Sequence, residues 1–198
     1  MSTHLERCPW CGTDELYCSY HDHEWGAPLS DDQRLFEFLA LESAQAGLSW
    51  ITILRKRDNY RKAFKRFDPI AVSRFGEKQV EKLLTDKGIV RNRAKIEACI
   101  NNAHRFLELQ SSHGSFARYL WDFVDGKPLQ NRHKTMKTIP ATTPLSDTLS
   151  KDLKKRGFKF LGSTTVYAFM QATGMVNDHL LSCYRHEDCA ELARKFTV

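Results

Sequence analysis

The stretch "LKKRGFKFLGSTTVYAFMQATG", residues 153–174, decides how the chain is read. With the residues before it, it forms two runs, "SDTLSKDLKKRG" and "STTVYAFMQATG", joined by the short hairpin "FKFLG". Apolar residues recur at helical spacing in both runs, so the unit reads as helix, turn, helix. Within the turn, Phe158 and Leu161 frame two positions ahead of Gly162, and Phe160 stands where such a hairpin usually carries a first glycine. Backbone amides at the start of the second helix, around Gly162 and Ser163, can hold a phosphate, and Lys155, Arg156 and Lys159 flank them.

Working outward, the charge is uneven. The 198 residues carry 30 Lys and Arg against 24 Asp and Glu, a net +6. Residues 150–160 hold five basic residues and one acid, and residues 55–67, "RKRDNYRKAFKRF", hold seven and one. Two such clusters, one beside a glycine turn, favour a polyanion over a pair of solvated helix faces. No stretch approaches the ~18 apolar residues of a membrane span, and the start "MSTHLERCPW" has no apolar signal core, so a cytoplasmic protein is expected. In such a reducing compartment the six irregularly spaced cysteines read as thiols or metal ligands rather than disulfides.

The rest of the chain is helical in pattern. "DDQRLFEFLALESAQ" puts Leu35, Phe38, Leu39 and Glu42 on one face, with Ser30 to Asp32 as candidate caps. "SWITILRKRDNYRKAFKRF" continues helically to Asp68-Pro69, which opens another short helix. A helix to Leu84, a turn at Asp86 to Gly88, and a helix with Ile96, Ile100, Ala103, Phe106 and Leu107 facing inward come next. Residues 125–144 read as a long basic loop. Strand patterns are missing, and the expected fold class is all-α.

The segment "ERCPWCG", residues 6–12, leaves three readings open: a redox dithiol of Cys8 and Cys11, a zinc half-site of those two with His21 or His23, or a bystander spacing. A dithiol needs a thioredoxin-like βαβ context that a helical chain lacks.

The blocks "YHDHEWG" (20–26), "LESAQAGLSWITIL" (41–54), "GIVRNRAKI" (88–96), "LKKRGFKFLGSTT" (153–165) and "MVNDHLLSC" (175–183) occur in this order. Together they closely resemble the type I 3-methyladenine-DNA glycosylases, constitutive alkylation-repair enzymes of the helix-hairpin-helix superfamily. The resemblance runs from about Glu6 to Cys183. It implies one catalytic domain, 1–198, with a helical core over about 30–175 and metal-binding ends at 6–25 and 175–185. It implies one structural Zn2+ held by Cys8, His21, His179 and Cys183, leaving Cys11 a bystander. The i, i+4 spacing of His179 and Cys183 is that of two ligands on one helix face.

The resemblance also implies the chemistry. A 3-methylated adenine already carries positive charge, so it leaves without a strong general acid once flipped from the duplex. Glu42 resembles the residue that bonds the flipped base, Trp50 and Trp10 the stacking walls, and Tyr20 and Tyr17 the pocket lining and hydroxyl donor. Asn177 stands where many superfamily relatives carry a catalytic Asp, with Asp178 expected to point elsewhere on a helix. Ser163 and Thr164 stand where bifunctional relatives place a lysine, so a monofunctional enzyme leaving an abasic site is expected. Leu48, on the "AGLSW" turn, is the candidate wedge into double-stranded alkylated DNA. A monomer is expected. The competing classes are a zinc-stabilised DNA-binding module without catalysis and a thiol oxidoreductase on Cys8 and Cys11.

Overall fold

A computed structural model describes residues 6–198; residues 1–5, counted within the domain above, lie outside the described residues. Helices α1 (Glu15–His23), α2 (Asp32–Gln45), α3 (Trp50–Ala63), α4 (Pro69–Ser73), α5 (Glu77–Thr85), α6 (Arg93–His113) and α7 (Phe116–Trp121) follow in order. Strand β1 (Leu129–Gln130), helices α8 (Pro144–Lys155) and α9 (Ser163–Ala172), strand β2 (Val176–Asn177) and helix α10 (Arg185–Lys195) complete the chain. No described helix is long and apolar enough to cross a membrane.

Helix α2 is the axis of the core and packs against α3, α6, α7 and α9. Every residue from Leu35 to Ala44 is buried, so neighbours surround the helix over that stretch on all sides. Of the candidate caps, Asp31 fills the role, accepting from Arg34 N at 2.8 Å. The Asp32 carboxylate instead accepts from Phe116 N and Ala117 N at 2.9 and 2.8 Å, tying α2 to the start of α7. Phe36 meets Phe106 at 5.2 Å, and Phe106 stacks on Phe116 at 4.2 Å.

The mostly helical architecture departs from the sequence expectations in four places. Leu129 and Gln130 pair in parallel with Val176 and Asn177, a bridge too short to carry any period. Helix α3 stops at Ala63, because Lys65, Arg66 and Phe67 turn left-handed at φ +53°, +55° and +58°. That turn buries Phe67 and stacks it on Phe64 at 5.9 Å. On α6 the inward face includes Cys99, Asn102 and Leu109, while Leu107 is only half-buried. Residues 178–182, expected to be helical, form an irregular segment that turns where Cys183 N donates to Leu180 O at 2.8 Å.

Helices α8 and α9 pack on each other around the decisive turn. Gly157 (φ +88°) and Phe160 (φ +58°) are both left-handed, and Gly162 caps α9. Helix α6 holds the turn: Asn102 accepts from Lys159 N at 2.8 Å and donates to Lys159 O at 2.9 Å, and Asn101 donates to Gly157 O at 2.8 Å.

Candidate base-binding cavity and metal cluster

A cavity of about 310 Å³ opens between α1, α2, α3 and α9, the size of a small-ligand pocket. Trp10, Tyr17, Tyr20, Glu42 and Trp50 all line it. Each arrives from a different device. Trp10 sits on a single 3-10 turn, Pro9–Cys11, and Tyr17 and Tyr20 lie one turn apart on α1. Glu42 comes from the last turns of α2, and Trp50 opens α3 after a tight turn. Tyr20 meets Trp50 at 5.5 Å, and Trp10 meets Tyr17 at 4.9 Å. Burial, with Glu42 nearby, raises the Tyr20 phenol well above its usual range, so its hydroxyl stays a donor.

Glu42 is 4% exposed and receives no hydrogen bond from a described residue. Burial alone pushes its carboxyl up to about 8. An unpartnered carboxylate in an aromatic enclosure disfavours its own charge until a donor or a cation arrives.

Sequence reading missed Trp25, Gln45, Tyr167 and Gln171, which also line the cavity. It also put Asp178 on a helix. Asp178 follows β2 on non-helical backbone, fully buried, and accepts from Tyr167 at 2.6 Å, Gln171 at 2.7 Å and Asn131 at 2.6 Å. Asn177 donates to Gln130 and to the His186 carbonyl, both at 2.9 Å, and does not line the cavity. Leu48 is 41% exposed on the turn between α2 and α3, beside the cavity and not in its lining. Lys95 steadies that turn by donating to Ala44 O and Ala46 O at 2.8 and 2.6 Å.

The two basic segments behave differently. In 55–67, Arg55 pairs with Asp14, Arg57 with Glu24 and Glu37, and Arg61 with Glu37 and Asp58. Three of the seven basic residues are therefore neutralised within the fold, while Lys62, Lys65 and Arg66 are exposed and in no ion pair among the described residues. At the α8–α9 turn, Lys155 and Lys159 face solvent, while Arg156 pairs with Asp152 at 2.6 Å and lies over Tyr119. Gly162 is exposed, and Ser163 shares a hydrogen bond with Ser146 at 2.8 Å.

Cys8, His21, His179 and Cys183 are all buried, and their ligand atoms lie within 4.8 Å of one another. Cys8 Sγ is 3.5 Å from His179 Nδ1, and Cys183 Sγ is 3.4 Å from His21 Nε2 and 3.6 Å from His179 Nδ1. A tetrahedral zinc about 2.3 Å from sulfur and about 2.05 Å from nitrogen has a sulfur–nitrogen edge of about 3.5 Å. The donor set therefore fits such an ion. Each imidazole is oriented through its other nitrogen, His21 Nδ1 on Asp22 at 2.8 Å and His179 Nε2 on the Trp25 carbonyl at 3.0 Å. Gly26 makes room: a Cβ there, at φ +80°, would lie 2.9 Å from the His179 ring. Cys11 lies outside the cluster, and its thiol donates to Cys8 O at 3.2 Å.

The sequence profile of the methyladenine glycosylase family matches residues 10–186. The chain belongs to that family. It is similar to DNA-3-methyladenine glycosylase 1 of Escherichia coli (strain K12), 50% identical over 90% of this chain and 96% of that protein. DNA-3-methyladenine glycosylase of Haemophilus influenzae is 46% identical over 89% of this chain and 96% of its own. Among solved structures, a 3-methyladenine DNA glycosylase I variant in complex with 3-methyladenine superposes with a TM-score of 0.88 at 41% identity, covering 90% of this chain and 96% of its own.

Proposed function

We propose that this chain excises 3-methyladenine from alkylated DNA, hydrolysing the N-glycosidic bond of a flipped nucleotide and leaving an abasic site. The observation that carries the reading is Glu42, a buried carboxyl with no protein donor, set among aromatic faces. A cationic methylated base supplies what the cavity lacks: positive charge for the tryptophan and tyrosine rings and an amine donor for the carboxylate. Such a base is already a good leaving group, so recognition carries more of the rate than proton donation. The α8–α9 unit acts as a helix-hairpin-helix, gripping backbone phosphate through Lys155, Lys159 and the amides at Gly162 and Ser163, with Leu48 as the wedge.

Cys8, His21, His179 and Cys183 are the residues that would hold one structural Zn2+. When bound, the ion supplies a cross-link between the two chain ends. The cluster sits directly behind the cavity, with Trp10 at 5.3 Å from the His21 ring and Trp25 at 4.6 Å from His179.

Base release from methylated duplex tests the reading against a DNA-binding module without catalysis, which would release nothing. Glu42→Gln should slow single-turnover excision and weaken free 3-methyladenine binding roughly ten- to a hundredfold, the worth of a charged hydrogen bond. Binding to undamaged duplex should hardly change. Wild-type base affinity in the variant would remove Glu42 from the role.

A further inference from the structure

The segment from Asn131 to Ala141 belongs to neither the hairpin nor the wedge, yet it forms the outer rim of the cavity. Met136, Ile139, Pro140 and Ala141 line the opening. The segment is fastened at its base. Asn131 N donates to Asn177 O at 3.2 Å, Leu181 N donates to His133 O at 2.9 Å, and His186 bonds the Asn131 carbonyl at 2.9 Å. Asn131 also donates to buried Asp178, whose other oxygen accepts from Tyr167 and Gln171 in the cavity wall. One carboxylate thus locks the rim to the wall.

The outer face of this rim carries Arg132, Lys134 and Lys137, all exposed and none paired with an acidic group among the described residues. The contrast with 55–67 is informative, since there Arg55, Arg57 and Arg61 all pair with acids. A base that enters the cavity carries its sugar and both flanking phosphates to the mouth. Cations fixed on a fastened loop at that mouth meet those phosphates with little ordering cost.

We propose that the 131–141 rim is a second DNA-contact surface, with Arg132, Lys134 and Lys137 holding phosphates of the flipped nucleotide's own strand. This rests on the glycosylase reading, and it separates the hairpin's task, gripping duplex, from the rim's task, holding the extruded nucleotide.

The test is Arg132→Ser/Lys134→Ser/Lys137→Ser, compared with wild type by salt titration on undamaged duplex and on duplex bearing a stable abasic analogue. Three lost phosphate contacts should shrink the affinity change between about 50 and 200 mM salt by about 40-fold on the abasic duplex. The change on undamaged duplex should be smaller, and free 3-methyladenine affinity and Tm should stay at wild-type values. Unchanged slopes on both duplexes overturn the proposal, as does a parallel loss of free-base affinity, which would make the loop only a cavity wall. Base release by the wild-type protein is scored separately: its absence would sink the glycosylase reading, whereas unchanged slopes with release intact would sink the rim alone.

Discussion

Helix α2 buries two carboxyls five positions apart, about 140° around the helix, and treats them in opposite ways. Glu37 accepts from Arg57 at 2.5 Å and Arg61 at 2.8 Å, and Arg57 also bonds Glu24. Glu42 receives nothing from the described residues. On one side the fold compensates a buried charge itself; on the other it leaves the compensation to a ligand. The metal cluster is a third case, in which four buried ligand atoms converge on a space that suits a cation. Which sites are functional can be read from where the protein leaves buried polarity unanswered.

The largest expected effect lies at the cluster. Its ligands join residues 8 and 21 to residues 179 and 183, so metal binding is coupled to closing nearly the whole chain. Cys8→Ser or Cys183→Ser should lose stoichiometric zinc and lower stability by several kcal/mol, about 10 °C or more in Tm. Cys11→Ser should keep both. Elemental analysis that finds no zinc in the Cys11 variant would overturn the ligand set.

On the Glu37 side, Arg57→Met removes the cation shared by two acids and leaves Glu37 with one partner. Breaking a buried pair in this way costs about 3–5 kcal/mol. Base release by the folded fraction should persist, since Arg57 does not line the cavity. A variant as stable as wild type but inactive would reverse the assignment of roles on α2.

Glu42 should give the opposite sign. Its carboxyl titrates at about 8 in the fold, against 4.5 as its ordinary value, so the native state holds a proton that the unfolded chain has lost. The contribution of Glu42 to stability therefore falls as pH rises from about 4.5 to about 8 and is level above that. Glu42→Gln removes this slope and should stabilise the protein by on the order of 3 kcal/mol at neutral pH. Binding a cationic nucleotide must expel the proton, so affinity for methylated duplex should rise about tenfold per unit up to pH about 8, then flatten. A flat wild-type profile, or a sloping one in Glu42→Gln, would show that another group titrates.

These residues were not equally legible in the sequence. Glu42 stood out because its helical neighbours are apolar, and the α8–α9 turn because Gly162 follows two amphipathic runs. The cluster required the family resemblance, since nothing in local spacing links residue 8 to residue 183. In the 55–67 segment the pairing of Arg57 and Arg61 could not be foreseen, because Glu24 and Glu37 lie far back along the chain. The partners of Asp178, Asn102 and Lys95 were invisible for a related reason. Each of these three is a polar residue whose partners are backbone or side-chain groups far along the chain, and a periodicity argument places such residues in solvent.

The smallest effect concerns Phe160, where the decisive turn carries a second uncompensated cost. Its φ of +58° is a conformation glycine adopts freely and a side chain resists by about 1–2 kcal/mol. The ring is 42% exposed, so packing does not explain its presence. Phe160→Gly relieves the strain but adds freedom to the unfolded chain, about 0.5–1 kcal/mol the other way, leaving a net stabilisation of at most about 1.5 kcal/mol. Phe160→Ala keeps the strain and loses the ring, so it should fall below Phe160→Gly by about 1 kcal/mol in denaturant melts. If the ring serves the DNA face as Glu42 serves the cavity, both variants should bind duplex more weakly while only Gly gains stability. Equal stability of the two variants with wild-type DNA affinity would remove Phe160 from the comparison and leave it resting on α2 and the Cys2His2 cluster.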